Sequence, residues 1–159
     1  MEIPGEAKTL CCEAVCEATG NALEVSADDG KVVNAYLRRN GKITAAAWLY
    51  NLAPAPDKPD WEQPDAAERI PFLNAKAYIK EDPFAPIATL RDVRVFWSEA
   101  VEGRQAVALK VRGMLLAILL TDSLPGWSAR AAKDGPIAKA LDDDGRAFTL
   151  AHPEFPVFW

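Results

Sequence analysis

KVVNAYLRRNGKITAAAWLYN, residues 31–51, reads as two strands joined by a tight turn. Asn40-Gly41 is the turn. A two-residue hairpin loop of type I′ needs positive φ at both central positions, which Asn followed by Gly supplies with least strain. On the first arm Val33, Ala35 and Leu37 alternate with Asn34, Tyr36 and Arg38; on the second, Ile43, Ala45, Ala47 and Leu49 alternate with Thr44, Ala46, Trp48 and Tyr50. Period two marks a strand with one buried face. Strands within 31–39 and 42–50 are therefore expected to pair antiparallel.

Upstream, Leu10, Cys12, Ala14, Cys16 and Ala18 also alternate with Cys11, Glu13, Val15, Glu17 and Thr19. Leu10, Ala14, Val15 and Ala18 equally satisfy helical spacing, with Gly20 as a C-cap. Residues 8–19 are thus strand or helix, and the alternation favours strand. Downstream, the prolines of residues 53–64 exclude a helix interior or a central strand, because proline lacks the N–H donor. Asp65-Ala66-Ala67-Glu68 resembles a capping-box helix start, cut short by Pro71. A further helical turn is expected around 75–80.

In the second half, Val93, Val95 and Trp97 share one strand face, and Arg94, Phe96 and Ser98 the other. Residues 105–111 and 114–121 form a second hairpin about Arg112-Gly113. The run Met114–Leu120 is apolar on both faces, which places it centrally in a sheet or under a helix. Short helical turns are expected at 128–133 and at 136–141, the latter with Pro136 in the first turn. The class is α+β: a single domain over residues 1–159, dominated by antiparallel sheet, with six or seven strands and two to four short helices.

The chain has 159 residues, half of them hydrophobic and a quarter charged, enough to close a core without disulfide or metal. Its alanine-rich make-up points to a bacterial source. Twenty-three acids against 18 bases give a net charge of −5. That balance argues against nucleic acid and anionic membrane surfaces, which are bound through Lys and Arg. The start Met1-Glu2-Ile3-Pro4-Gly5 does not read as a signal peptide, and the longest apolar run is far shorter than the ~20 residues of a membrane span. Three cysteines, an odd number, fit a reducing cytoplasm.

No catalytic or cofactor pattern is present. Cys12 and Cys16 make one ligand pair with Cys11 adjacent, but structural zinc needs a second pair. Nearby Glu13 and Glu17 are expected to raise a thiol pKa. His152, the only histidine, has neither a glycine-rich elbow nor a G-x-S-x-G partner. Asp142-Asp143-Asp144-Gly145 fails as a calcium loop, since Ala140 and Ala151 would occupy its first and twelfth positions. Phosphate-binding glycine loops are missing.

What remains is acidity and tryptophan. Acids cluster in residues 1–30, at Asp57, Asp60, Glu62, Asp65 and Glu68, and at 142–144. Of five tryptophans, Trp48 and Trp97 lie in strand patterns, whereas Trp61, set in a proline-rich acidic loop, and Trp127, just after Pro125-Gly126, have no periodic reason to be buried. Trp61 with Asp60, Glu62 and Asp65, together with Trp127, therefore forms the expected docking face for a basic protein partner. The functional expectation is a non-enzymatic protein-binding domain of the immunity or chaperone-like kind. The alternative is a small-molecule site or enzyme with a pocket lined by tryptophan and carboxylate.

Overall fold

The computed structural model describes residues 11–142 and 144–155. Residues 31–51 form the expected hairpin: β3 (Val32–Arg39) pairs antiparallel with β4 (Lys42–Asn51), and Asn40 and Gly41 have φ of 53° and 79°. The alternation upstream resolves as strands too. β1 (Cys11–Val15) and β2 (Asn21–Asp28) complete a meander in the order β1-β2-β3-β4. Of the two readings open for residues 8–19, the favoured one, strand, holds over Cys11–Val15, while residues 8–10 lie outside the described residues.

A second sheet contains β5 (Val93–Trp97), β6 (Ala106–Val111), β7 (Met114–Leu120), β8 (Trp127–Ser128) and β9 (Lys139–Ala140), in that order. All neighbours are antiparallel except β8 and β9. The apolar run Met114–Leu120 is central, as both of its faces require.

The inner faces of the two sheets share one core. Leu23, Val25, Val33, Ala35, Leu37, Ala45, Ala47 and Leu49 of the meander meet Val107, Leu109, Val111 and Leu119 of the second sheet, with Val93, Val95 and Trp97 packed against them. Each Val or Leu side chain so buried contributes about 1.5–3 kcal/mol, which makes this layer the main source of stability. At one end the sheets are also tied by a polar side chain. Buried Gln105 accepts hydrogen bonds at Oε1 from Thr19 Oγ1 (2.8 Å) and Asn21 Nδ2 (2.9 Å), and its Nε2 donates to the Ser98 carbonyl (2.7 Å).

The free edge of β4 is covered by backbone from much later in the chain. Asp122 N–H donates to the Thr44 carbonyl (3.1 Å), Gly126 N–H to Ala46 (2.7 Å), and the Trp48 N–H itself donates to Ile137 (2.9 Å). Glycine at 126 leaves room for this close approach. A Cβ there would stand 3.0 Å from the Ile118 carbonyl oxygen and 3.1 Å from the Ala47 Cβ.

The expectation of two to four helices needs correction. One α-helix, α1 (Arg146–Ala151), occurs among the described residues, at a place where none was expected. Asp65 makes no side-chain cap; 66–69 and 76–78 are 3-10 turns. Of the segment 128–133, Ser128 belongs to β8 and a single turn follows it, closed by the Ala131 N–H on the Ser128 carbonyl (3.2 Å), whereas the turn expected at 136–141 gives way to β9. The α1 segment covers the outer face of the second sheet, where Phe148, Phe155 and Leu141 pack with Trp127, Ile118 and Leu120.

Candidate functional site

Among the described residues, the outer face of the meander is covered at one corner. There Trp48 and Val32 are buried beneath Ala131 and Ala138, with Leu73, Ile79 and Ile137 around them. Beyond that corner the outward side chains of β2 and β3 are only half-buried, as the alternation dictates.

A groove of about 300 Å³ opens at this boundary. Its floor is set by register: Asn34 lies opposite Trp48 and Tyr36 opposite Ala46. One rim is Ile70, Pro71 and Phe72, and the other Leu124 and Pro125. Ile70 is 63% exposed and Leu124 65%, so two aliphatic side chains stand in water on opposite sides of an apolar trough. Such a patch marks an interaction site more often than a lone exposed leucine does.

Beside the groove lies a polar network. The Asp28 carboxylate accepts hydrogen bonds from Ser26 Oγ (3.1 Å), Asn34 Nδ2 (2.8 Å) and the Tyr36 hydroxyl. Burial, reinforced by the bond to Asp28, pushes the Tyr36 phenol up to about 12. A proton held so tightly is of little use for acid–base chemistry near neutrality. Glu13 lies opposite Glu24, Glu24 lies opposite Tyr36, and Arg38 Nε pairs with Glu24 at 3.1 Å. Among the described residues of β1–β3, the outer face therefore carries Glu13, Glu24 and Asp28 against the single cation Arg38.

The structure divides the docking face expected from the sequence. Glu62 and Asp65 are exposed, and Asp65 pairs with Arg69 at 2.6 Å, which lowers its pKa. Asp60, however, is 4% exposed and turned inward: Oδ2 accepts the Leu73 N–H (3.1 Å) and Oδ1 the Arg69 guanidinium (3.3 Å). Trp61 is half-buried, set edge-on to Tyr78 (5.2 Å) and Phe72 (6.2 Å). Trp127 is corrected from exposed anchor to core residue. It is 5% exposed and meets Phe148 and His152 edge-on at 5.2 Å each. The acidic loop thus spends Asp60 and Trp61 on holding itself in place, and it presents its tip, Ile70–Phe72, to the groove. Asp60→Ala should therefore cost about 2 kcal/mol by stranding the Leu73 amide, whereas Glu62→Gln should change stability by less than about 0.5 kcal/mol. Urea unfolding of both variants checks the contrast.

Other candidates for chemistry lie apart. His152 sits among aromatic rings with Nδ1 3.7 Å from Glu154. Cys12 packs against the core. The Cys16 thiol is shifted opposite to the expectation from Glu13 and Glu17. Burial alone would raise its pKa, but hydrogen bonds from Thr19 and Gln105 outweigh burial and lower it. Among the described residues no three His, Cys, Asp or Glu side chains gather as a metal set, and no helix is long and apolar enough to cross a membrane.

The groove residues escaped sequence reading, although a signal existed. Ile70 and Leu124 are aliphatics placed directly before proline in otherwise polar segments. Compared with protein families, curated proteins and solved structures, the chain matches none.

Proposed function

We propose that the chain is one non-enzymatic protein-binding domain, of the immunity or chaperone-like kind, working in the bacterial cytoplasm. It holds a basic partner on the outer face of the meander. The partner inserts an aliphatic side chain between Ile70 and Leu124, and its cations meet Glu13, Glu24 and Asp28. The observation that carries this reading is the juxtaposition of an apolar trough, rimmed by two exposed aliphatics, with a sheet face bearing three carboxylates and one guanidinium. Charge complementarity then supplies steering, and the trough supplies residence time.

A small-molecule site is the second reading. It is favoured by Asn34 and Tyr36, two polar side chains converging on the floor of the same groove.

The test uses the wild-type protein and two variants as bait, with binding kinetics measured on whatever is retained. Ile70→Asp with Leu124→Asp should raise the off-rate about 30-fold, the equivalent of losing one ~2 kcal/mol anchor. Glu13→Lys with Glu24→Gln should lower the on-rate instead, and that effect should vanish by about 1 M salt, where the Debye length is about 3 Å. A retained basic protein that binds both variants as it binds wild type sinks the proposal. Retention of no protein, with a small molecule co-purifying in the groove, transfers it to the second reading.

A further inference from the structure

The two packed sheets are sealed along one flank and open along the other. On the sealed flank the edge of β4 bonds to backbone at Asp122, Gly126 and Ile137. On the open flank, among the described residues, β1 and β5 are the last strands of their sheets. Between them runs a groove of about 270 Å³, with Ala14, Leu23 and Val25 on one wall and Leu90, Val93 and Val95 on the other. Leu90 is 59% exposed there. Neither Cys11–Val15 nor Val93–Trp97 contains a proline, and neither carries a charge on its inward face. Edge strands without such guards are templates for pairing with another chain.

Charge decides which chain fits. On the outward face of β1, Glu13 lies directly opposite Glu24. Glu24 pairs with Arg38, whereas Glu13 has no ion pair among the described residues. On the outward face of β5, Arg94 lies directly opposite Lys110. The Arg94 guanidinium donates to the carbonyls of Arg91 (3.3 Å) and Val93 (3.0 Å), and the Lys110 ammonium stands 5.7 Å from the Phe96 ring centroid. Neither cation has a carboxylate partner among the described residues. Like charges directly opposite each other on a sheet are destabilising, and a next strand of opposite charge relieves them. The β1 edge therefore lacks a cation and the β5 edge an anion, and each edge carries what the other lacks.

We propose that two copies of this chain pair edge to edge about a two-fold axis lying along the groove, with β1 of each beside β5 of the other. Glu13 then meets Arg94 of the second copy, and the contact is made twice. The inward side chains Ala14, Val93 and Val95, half-buried in one chain, are covered, so that the two cores join. The other two-fold arrangement, β1 beside β1 and β5 beside β5, sets Glu13 against Glu13 and Arg94 against Arg94, and like-charge repulsion disfavours it. A two-fold contact of this kind closes at two copies and uses both edges, so no edge is left to extend a fibre.

Dimerisation is read on the purified chain with no partner present, so its failure leaves the reading of the meander face standing. Gel filtration with light scattering over roughly 1–200 µM should show the mass rising from one chain to two, with a dissociation constant on the order of 10 µM. Glu13→Arg and Arg94→Glu, both at exposed positions, should each weaken the dimer at least about tenfold, because each sets like charges in both contacts. Mixed in equal amounts, the two variants should dimerise about as well as wild type. In the mixed pair the new arginine faces the new glutamate, and the remaining Glu13 faces the remaining Arg94. Amide hydrogen exchange in Cys11–Val15 and Val93–Trp97 of the wild type should slow as concentration rises, which decides the matter if a variant does not fold. A wild-type chain still monomeric at about 200 µM, exchange in both strands independent of concentration, a dimer unmoved by either single change, or a mixture of folded variants that stays monomeric would each overturn the proposal.

Discussion

Trp48→Ala should lower the unfolding free energy by about 4 kcal/mol, the upper part of the range for truncating a fully buried large side chain. The indole is buried beneath Ala131 and Ala138, two small residues with no reach to fill the space it would leave. Its Nε1 also donates to Asn51 Oδ1 (2.9 Å), which in turn accepts the Asn74 N–H (3.0 Å). At a urea slope of about 2 kcal/mol/M the midpoint should fall by about 2 M. Trp48→Phe separates the two contributions. It keeps most of the volume and loses the indole hydrogen bond, so about 1 kcal/mol is expected. A Trp48→Ala midpoint within about 0.5 M of wild type would show that the corner formed by 73–79 and 131–140 is not a packed layer.

Gln105→Leu should be nearly as damaging, at about 3 kcal/mol, although leucine is the more apolar residue. The glutamine is central to a buried network, and leucine would leave the Asn21 Nδ2 and the Ser98 carbonyl without partners. Each stranded buried group costs about 1–3 kcal/mol. Asn21 Oδ1 has no hydrogen-bond partner among the described atoms, so the site has little slack for a further loss. A double-mutant cycle is informative here. Asn21→Leu combined with Gln105→Leu should cost less than the sum of the single changes, because residues in one network are not additive. Strict additivity in thermal or urea unfolding would mean that the two side chains do not support each other.

The elements that were legible in the sequence are those whose cause is local. Asn40-Gly41 and Arg112-Gly113 both turn with positive φ, and each closes the hairpin its flanking alternation implies. Glu102-Gly103 turns in the same way but escaped notice, since its flanks are too short to show period two. Segment 136–141 has a favourable helix start at Pro136, yet Lys139 N–H donates to the Gly126 carbonyl (2.8 Å) and Leu141 N–H to Ser128 (3.1 Å). A parallel pairing with a strand from elsewhere in the chain overrode local propensity. The same reasoning covers Asp60. Nothing near it in sequence announces that the Leu73 amide, 13 residues on, will need its carboxylate. Trp127 looked exposed only because Phe148 and His152, which enclose it, come so much later. The groove was hardest of all to foresee. Its floor comes from one hairpin and its rims from two distant loops, so no window of sequence contains it.

The cover on the edge of β4 has a consequence for how the chain is made. β3 and β4 can pair as soon as both have left the ribosome, but the backbone that seals their outer edge, at Asp122, Gly126 and Ile137, is synthesised more than 70 residues after Thr44 and Ala46. At 5–20 residues per second that interval is on the order of ten seconds. Throughout it, the segment Ile43–Tyr50, without a charge or a proline, offers unpaired carbonyls to any neighbouring strand. Yield from rapid translation should therefore suffer through aggregation of nascent chains, and a single lysine at outward-facing Thr44 is the natural gatekeeper to relieve it.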